Sequence, residues 1–154
     1  MAGTIEKKLG ELGVMLAQPA APVANYVPFV RTGNLLFVSG QICHDAGALV
    51  AKGQLGGGVS IEDGQKAARA CAINLLAQVK GALGDLDKVV RVVRLGGFVN
   101  SVAGFTDGPK VMNGASDLMV AAFGDKGRHS RTTVGVSALP QNAAMEVEGL
   151  FEVS

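Results

Sequence analysis

The chain has 154 residues, 48% hydrophobic and only 18% charged, and its 14 basic and 13 acidic side chains leave a formal net charge of +1. That length favours one domain able to bury a real core, and the balance lacks the basic excess of a nucleic-acid binder. Two cysteines, Cys43 and Cys71, and two histidines, His44 and His129, exclude a disulfide-stapled scaffold and a His-rich metal site.

The chain opens with Glu6, Lys7, Lys8 and Glu11, where a signal peptide needs an apolar run, and no apolar stretch of about 18 residues suggests a membrane span. The expectation is a soluble, cytoplasmic protein needing no metal and no cofactor. The low charge content predicts a homo-oligomer that hides part of its surface against its own copies.

In chain order, Ile5, Leu9, Leu12 and Leu16 fall on one helical stripe, which predicts a short amphipathic helix stopped by Pro19 and Pro22. Val27–Arg31, a Thr32-Gly33-Asn34 turn and Leu35–Ile42 read as a hairpin. Residues 45–59 hold five glycines and no clear period, and read as a loop with room for one short edge strand. Ser60 is placed as an N-cap, with Glu62 and Asp63 in the first turn where the helix dipole favours them. Ala67, Cys71, Leu75, Val79 and Leu83 then predict a helix over 61–83 that stops at Gly84. Val89–Val99 is rich in β-branched residues and reads as a strand bent at Gly96-Gly97. Pro109–Phe123 predicts a second long helix, ended by Gly124.

Arg131–Val153 reads as a closing hairpin around Leu139-Pro140-Gln141-Asn142, with Ala138 opposite Ala143 and Gly135 opposite Glu146. The order is helix, then β-β-α-β-α-β-β: an α+β architecture with one sheet and two helices on one face. No repeat or linker divides it, so residues 1–154 form a single domain with a helical extension over 1–20.

Alternation puts Thr132, Val134, Val136 and Ala138 with Met145, Val147, Gly149, Phe151 and Val153 on the face beneath the helices. The other face collects Arg131, Thr133, Gly135 and Ser137 with Ala144, Glu146 and Glu148. Those are small residues with one arginine and two carboxylates, which suits contact with a subunit or a ligand. Arg131 would stand about 13 Å along the ladder from Glu146. The two could line one pocket only where sheets of neighbouring subunits meet. Arginine suits a grip on a carboxylate, through two parallel charge-assisted hydrogen bonds, and a partly buried glutamate suits proton transfer. The plainer alternative is a salt bridge from Arg131 to Glu148 or another acid at a subunit interface.

Several segments together resemble the RidA/YjgF family of reactive-intermediate deaminases, also called the endoribonuclease L-PSP family, over residues 21–153. They are Ala24-Asn25-Tyr26-Val27, the strand Leu36-Phe-Val-Ser-Gly-Gln-Ile42, Asn113 in the second helix, Arg131-Thr-Thr-Val134, Ala138-Leu-Pro140 and Met145-Glu-Val-Glu148. The resemblance implies a chorismate-mutase-like fold and a homotrimer with three inter-subunit clefts. It implies binding of a 2-imino or 2-enamino acid, to which water is added so that ammonia leaves and a 2-keto acid remains. It gives Arg131 the substrate carboxylate and Glu146 the water, with Tyr26, Asn113 and the backbone at Gly40 and Thr133 lining the cleft. The chain departs from the family pattern at His129-Ser130, where proline and alanine are usual, at Thr133, often cysteine, and before Tyr26, where a proline is missing. A non-catalytic trimeric binder of small carboxylates is the alternative, and a ribonuclease or translation inhibitor a third reading, which the near-neutral charge counts against.

Adjacent Cys43 and His44 on an extended strand point to opposite faces and do not form a dyad, and Cys71 reads as a small core residue. His129 is placed at the edge of the cleft beside Arg131. The glycines at 53 and 56–58 lack the Gly-Lys-Ser/Thr of a phosphate loop.

Overall fold

The computed structural model describes residues 2–19 and 21–154. Helix α1 (Thr4–Glu11) is shorter than its apolar stripe. Gly13 takes a φ of +75°, and Val14 N–H donates to Leu9 O (2.9 Å) while Gly13 N–H donates to Gly10 O (3.0 Å). These two bonds close the helix as a Schellman motif, so a glycine ends it well before Pro19. The helix is stitched to the body. The Thr4 and Ile5 N–H groups both donate to the Asp87 carboxylate at 2.8 Å, which holds Asp87 below the usual carboxylate range. Glu6 pairs with Lys80, and Arg69 donates to Leu12 O (3.1 Å).

The first hairpin is β1 (Phe29–Thr32) and β2 (Leu35–Ile42). The glycine-rich stretch holds a minimal hairpin, β3 (His44–Asp45) and β4 (Ala48–Leu49), where one edge strand was expected. Helix α2 (Ile61–Leu83) starts on Ser60, whose Oγ accepts from Asp63 N–H (3.1 Å), and ends at Gly84 with φ +76°. Its expected stripe of Ala67, Cys71, Leu75, Val79 and Leu83 is buried throughout. Strand β5 (Val89–Asn100), helix α3 (Gly108–Phe123), β6 (Ser130–Val136) and β7 (Met145–Val153) complete the chain.

The sheet order is β1-β2-β7-β5-β6. The expected closing hairpin of β6 with β7 does not form: β5 lies between them, antiparallel to β7 and parallel to β6. The reason is the α3 crossover. It carries the chain back over the sheet and lays β6 beside β5 in the same direction. The turn at 139–142 is real but spans the end of β5 rather than joining neighbours. Asn100 N–H donates to Ala144 O (3.0 Å) and its side-chain amide to Ala143 O (3.1 Å). The bend expected at Gly96-Gly97 is also absent. The irregularities in β5 lie at 89–91 and 92–94, and Gly96 and Gly97 pair in register with Glu148 and Val147. These glycines serve close approach: a Cβ on Gly96 would stand 2.8 Å from Glu148 Cγ, and one on Gly97 would strike Met112 of α3.

The core lies between one sheet face and α2 and α3, with Leu36, Leu75, Leu95, Met112, Met119 and Phe151 fully buried. The helices meet closely where a Cβ on Gly114 would collide with the Gln65 carbonyl, whereas one on Gly10 meets open space. Gly114→Ala is therefore expected to lower stability by about 1–3 kcal/mol through overpacking. Gly10→Ala should raise it by up to about 1 kcal/mol, since neither contact nor backbone opposes a helix former there. Urea unfolding of both variants checks the opposite signs.

Candidate functional site

The register of β6 against β5 fixes where Arg131 points. Arg131 pairs with Leu95, Thr133 with Gly97 and Gly135 with Val99. Leu95 and Val99 are buried, and Gly97 backs onto Met112, so Arg131 and Thr133 face the helices. This reverses the face expected for β6. Matching apolar to apolar fails here because β6 is the edge strand, beyond the full cover of the helices. Thr132 and Val134 take the open face instead, where Thr132 Oγ1 accepts from Arg94 Nη2 (2.9 Å) and Val134 is 44% exposed.

The half-buried Arg131 reaches back to α3. Its Nη1 donates to Asn113 Oδ1 (2.9 Å) and Ser116 Oγ (3.0 Å), and its Nη2 to Pro109 O (3.1 Å). All three acceptors are neutral, and no ion pair to Arg131 forms among the described residues. A guanidinium held this way keeps unspent charge for an anion. Beside it Thr133 Oγ1 is buried without a hydrogen-bond partner, and a Cβ on Gly108 would stand 3.4 Å from the Thr133 methyl. His129 is one step removed: its Nε2 lies 2.9 Å from Ser116 Oγ, and its Nδ1 lies 2.6 Å from Gly127 O.

Glu146 occupies the opposite face. It pairs with Phe98 of β5 and Ile42 of β2, on rungs that alternate away from Arg131. Burial, and then the charge of Glu148, raises its pKa. Glu148 is itself paired with Arg94 at 3.8 Å, so within the chain its partner is not Arg131. The ladder of β2 with β7 shifts register between Val38 and Gln41, and a Cβ on Gly40 in that bulge would collide with Glu146 Oε1. Ser39 ties the preceding segment to the same place: its N–H donates to Pro28 O (2.9 Å) and its Oγ to Val27 O (3.0 Å). That leaves Tyr26 just upstream, 51% exposed.

The expected residues thus fall into two groups. Arg131, Asn113 and Thr133 come together at the β6 edge, and Glu146 comes together with Gly40 across the sheet. Ser116 and the Pro109 carbonyl escaped the sequence reading, although Pro109, Asn113 and Ser116 follow one helix face at spacings of four and three. Cys43 and His44 form no dyad: the buried Cys43 thiol donates to Ala51 O, and His44 Nε2 lies 2.9 Å from Gln141 Oε1. Cys71 is a core thiol whose pKa burial pushes up. Among the described residues no group of three or more His, Cys, Asp or Glu gathers as a metal cage, and no helix is long and apolar enough to cross a membrane.

Residues 6–152 match the family model described as "YjgF/chorismate mutase-like, putative endoribonuclease". The chain belongs to the YjgF family. The match reaches back into α1, further than the resemblance read from residue 21. Protein TCP17 of Trypanosoma cruzi is 48% identical over 99% of this chain and 96% of its own. A 2-iminobutanoate/2-iminopropanoate deaminase of Dermatophagoides farinae is 27% identical over 90% of this chain and 95% of its own. The crystal structure of Atu1372, a protein of unknown function from Agrobacterium tumefaciens, superposes with a TM-score of 0.93 at 46% identity, covering 98% of this chain and 93% of that one.

The raised pKa of Glu146 makes its ionisation a cost to this YjgF fold. A carboxyl whose folded pKa lies above its unfolded value lends stability below the unfolded pKa and loses it as pH rises through the folded one. Glu146→Gln should therefore melt at a higher temperature than wild type at neutral pH. The gap should close as pH falls below the ordinary glutamate range. Thermal melts from pH 4 to pH 8 test this, and a lower melting temperature for the variant at neutral pH would sink it.

Proposed function

We propose that the protein hydrolyses small 2-imino and 2-enamino carboxylates to 2-keto acids and ammonia, at clefts that each take Arg131 from one copy and Glu146 from the next. The observation that carries this is Arg131: a half-buried guanidinium held only by neutral acceptors, facing an open sheet edge. The name of the 27% identical mite protein agrees with the chemistry. Association is supported by the open sheet face, where Val30 and Phe37 are 52% and 46% exposed around a hollow of about 330 Å³ that also borders Leu150, Arg94 and Glu148. The assembly proposed is the homotrimer of the family resemblance, with Tyr26 and the Gly40 backbone on the glutamate side of each cleft.

Arg131 binds the substrate carboxylate and turns the imine carbon toward the second half-site. Ionised Glu146 of the partner subunit accepts a proton from water as the oxygen adds to that carbon. The proton passes on to nitrogen, and the carbinolamine expels ammonia to leave the keto acid. The raised pKa suits both steps, because a carboxyl nearer neutrality takes and returns a proton more evenly. A carboxylate-binding protein without turnover would use the same arginine but would not need Glu146.

The test generates imino acids in place with an amino-acid oxidase and follows keto-acid and ammonia release. Wild type should accelerate release. Glu146→Gln should lose about a hundredfold or more in kcat, and Arg131→Ala should raise KM at least tenfold. Activity should fall as pH drops through the raised Glu146 pKa, and Glu148→Gln should move that limb to lower pH. At substrate levels well below the KM of Arg131→Ala, mixing the two variants and reassembling them should restore about a quarter of wild-type activity, the share expected for random trimers with two-chain sites. No rescue would overturn the two-chain cleft. No acceleration, with 2-oxobutanoate still bound, would favour the binding protein.

A further inference from the structure

We propose that His129 and Ser116 are positioning residues that fix the Arg131 guanidinium for carboxylate binding, with His129 neutral and its proton on Nδ1. The proposal deepens the reading of Arg131 as the carboxylate grip and rests on it.

The hydrogen-bond chain has one consistent direction. The Gly127 carbonyl can only accept, so the 2.6 Å contact places a proton on His129 Nδ1. Arg131 can only donate, so Ser116 Oγ accepts from Nη1 at 3.0 Å. The Ser116 hydroxyl is then free to donate to His129 Nε2 at 2.9 Å, and the neutral ring has a bare nitrogen there to receive it. Every group is used once: guanidinium to serine, serine to imidazole, imidazole to backbone. An imidazolium would instead turn a second cation onto the same serine oxygen, with no carboxylate in the chain to offset it. Polarity along such a chain strengthens each member.

The far end of the chain is fixed. Gly127 is buried, and a Cβ there would collide with the Met119 carbonyl, so its own carbonyl cannot drift without moving the end of α3. Ser116 sits one turn along α3 from Asn113, and the two oxygens hold Nη1 together. Nη2 is held separately by Pro109 O. This fixes the guanidinium plane rather than merely its location. His129 stands where the family pattern carries proline, which could supply neither nitrogen.

The chain has two histidines, so ¹⁵N-histidine labelling reads the tautomer directly, with His44→Gln assigning the signals. The expected result at neutral pH is His129 protonated on Nδ1 and bare on Nε2. Adding 2-oxobutanoate should move the His129 signals and leave those of His44, and Ser116→Ala should abolish the movement. By calorimetry, Ser116→Ala and His129→Leu should raise the Kd for 2-oxobutanoate about tenfold. His129→Gln, which keeps an acceptor and a donor, should recover most of the loss, and kcat should change less than KM. A proton on Nε2 in wild type, or unchanged binding in Ser116→Ala, overturns the relay. Correct tautomer and binding without imine turnover overturn only the proposed reaction. No binding of 2-oxobutanoate by wild type overturns both.

Discussion

Along β5, Leu95 shares its rung with Arg131 and Gly149, and Phe98 shares its rung with Val134 and Glu146. An odd number of steps separates the two rungs, and successive residues of a strand alternate faces. The arginine and the glutamate therefore stand on opposite sides of one sheet. No rotamer change brings them together, because a hydrogen-bonded layer lies between. Any chemistry that needed both groups at one substrate would need two copies. The same parity leaves the open face, on which Glu146 stands, with Phe37, Val30 and Val134 partly bare.

Arg131 and Glu146 are electrostatically unfinished in opposite senses. Charges with a structural task are neutralised nearby: Asp87 by two helix N–H groups, Lys80 by Glu6, Glu148 by Arg94. Arg131 and Glu146 are both half-buried, and neither has an ion-pair partner among the described residues. Partial burial makes such a charge costly, and the raised pKa of Glu146 records that cost. A fold optimised for stability alone would replace either residue. Their burial fits a role in which the missing interactions arrive with substrate and a second chain.

Much of this was legible in the sequence, and the failures have physical causes. Helix α2 was readable to the residue because cap, stripe and stop agree: Ser60, the apolar positions from Ala67 to Leu83, and Gly84. The alternation of β7 was equally plain, with Met145, Val147, Gly149, Phe151 and Val153 all buried. What failed was neighbourhood. Leu139–Asn142 carries genuine turn chemistry, with positive φ at Gln141 and Asn142, yet a turn cannot tell whether the strands beside it touch. The clue was in β5, whose apolar run fills both faces as a central strand does. The orientation of β6 failed for a related reason. Apolar matching assumes two covered strands, and an edge strand can send an arginine along its helix-facing side toward water.

The glycines of the open face complete the logic of the site. Gly40 and Gly96 have ordinary backbone angles, so what they supply is space rather than left-handed geometry. Each lies beneath a carboxylate, Gly40 under Glu146 and Gly96 under Glu148. Glycine inside a strand costs about 0.5–1 kcal/mol in backbone entropy, and a side chain there would ordinarily strengthen the sheet. At position 40 it would push the flexible end of Glu146 off the strand into water. Solvation would then return the carboxyl toward its ordinary pKa. The glycine of the Ser39-Gly40-Gln41 strand and the glutamate of β7 thus act as one unit. One supplies the hollow, and the other holds its proton more tightly for lying half-buried in it.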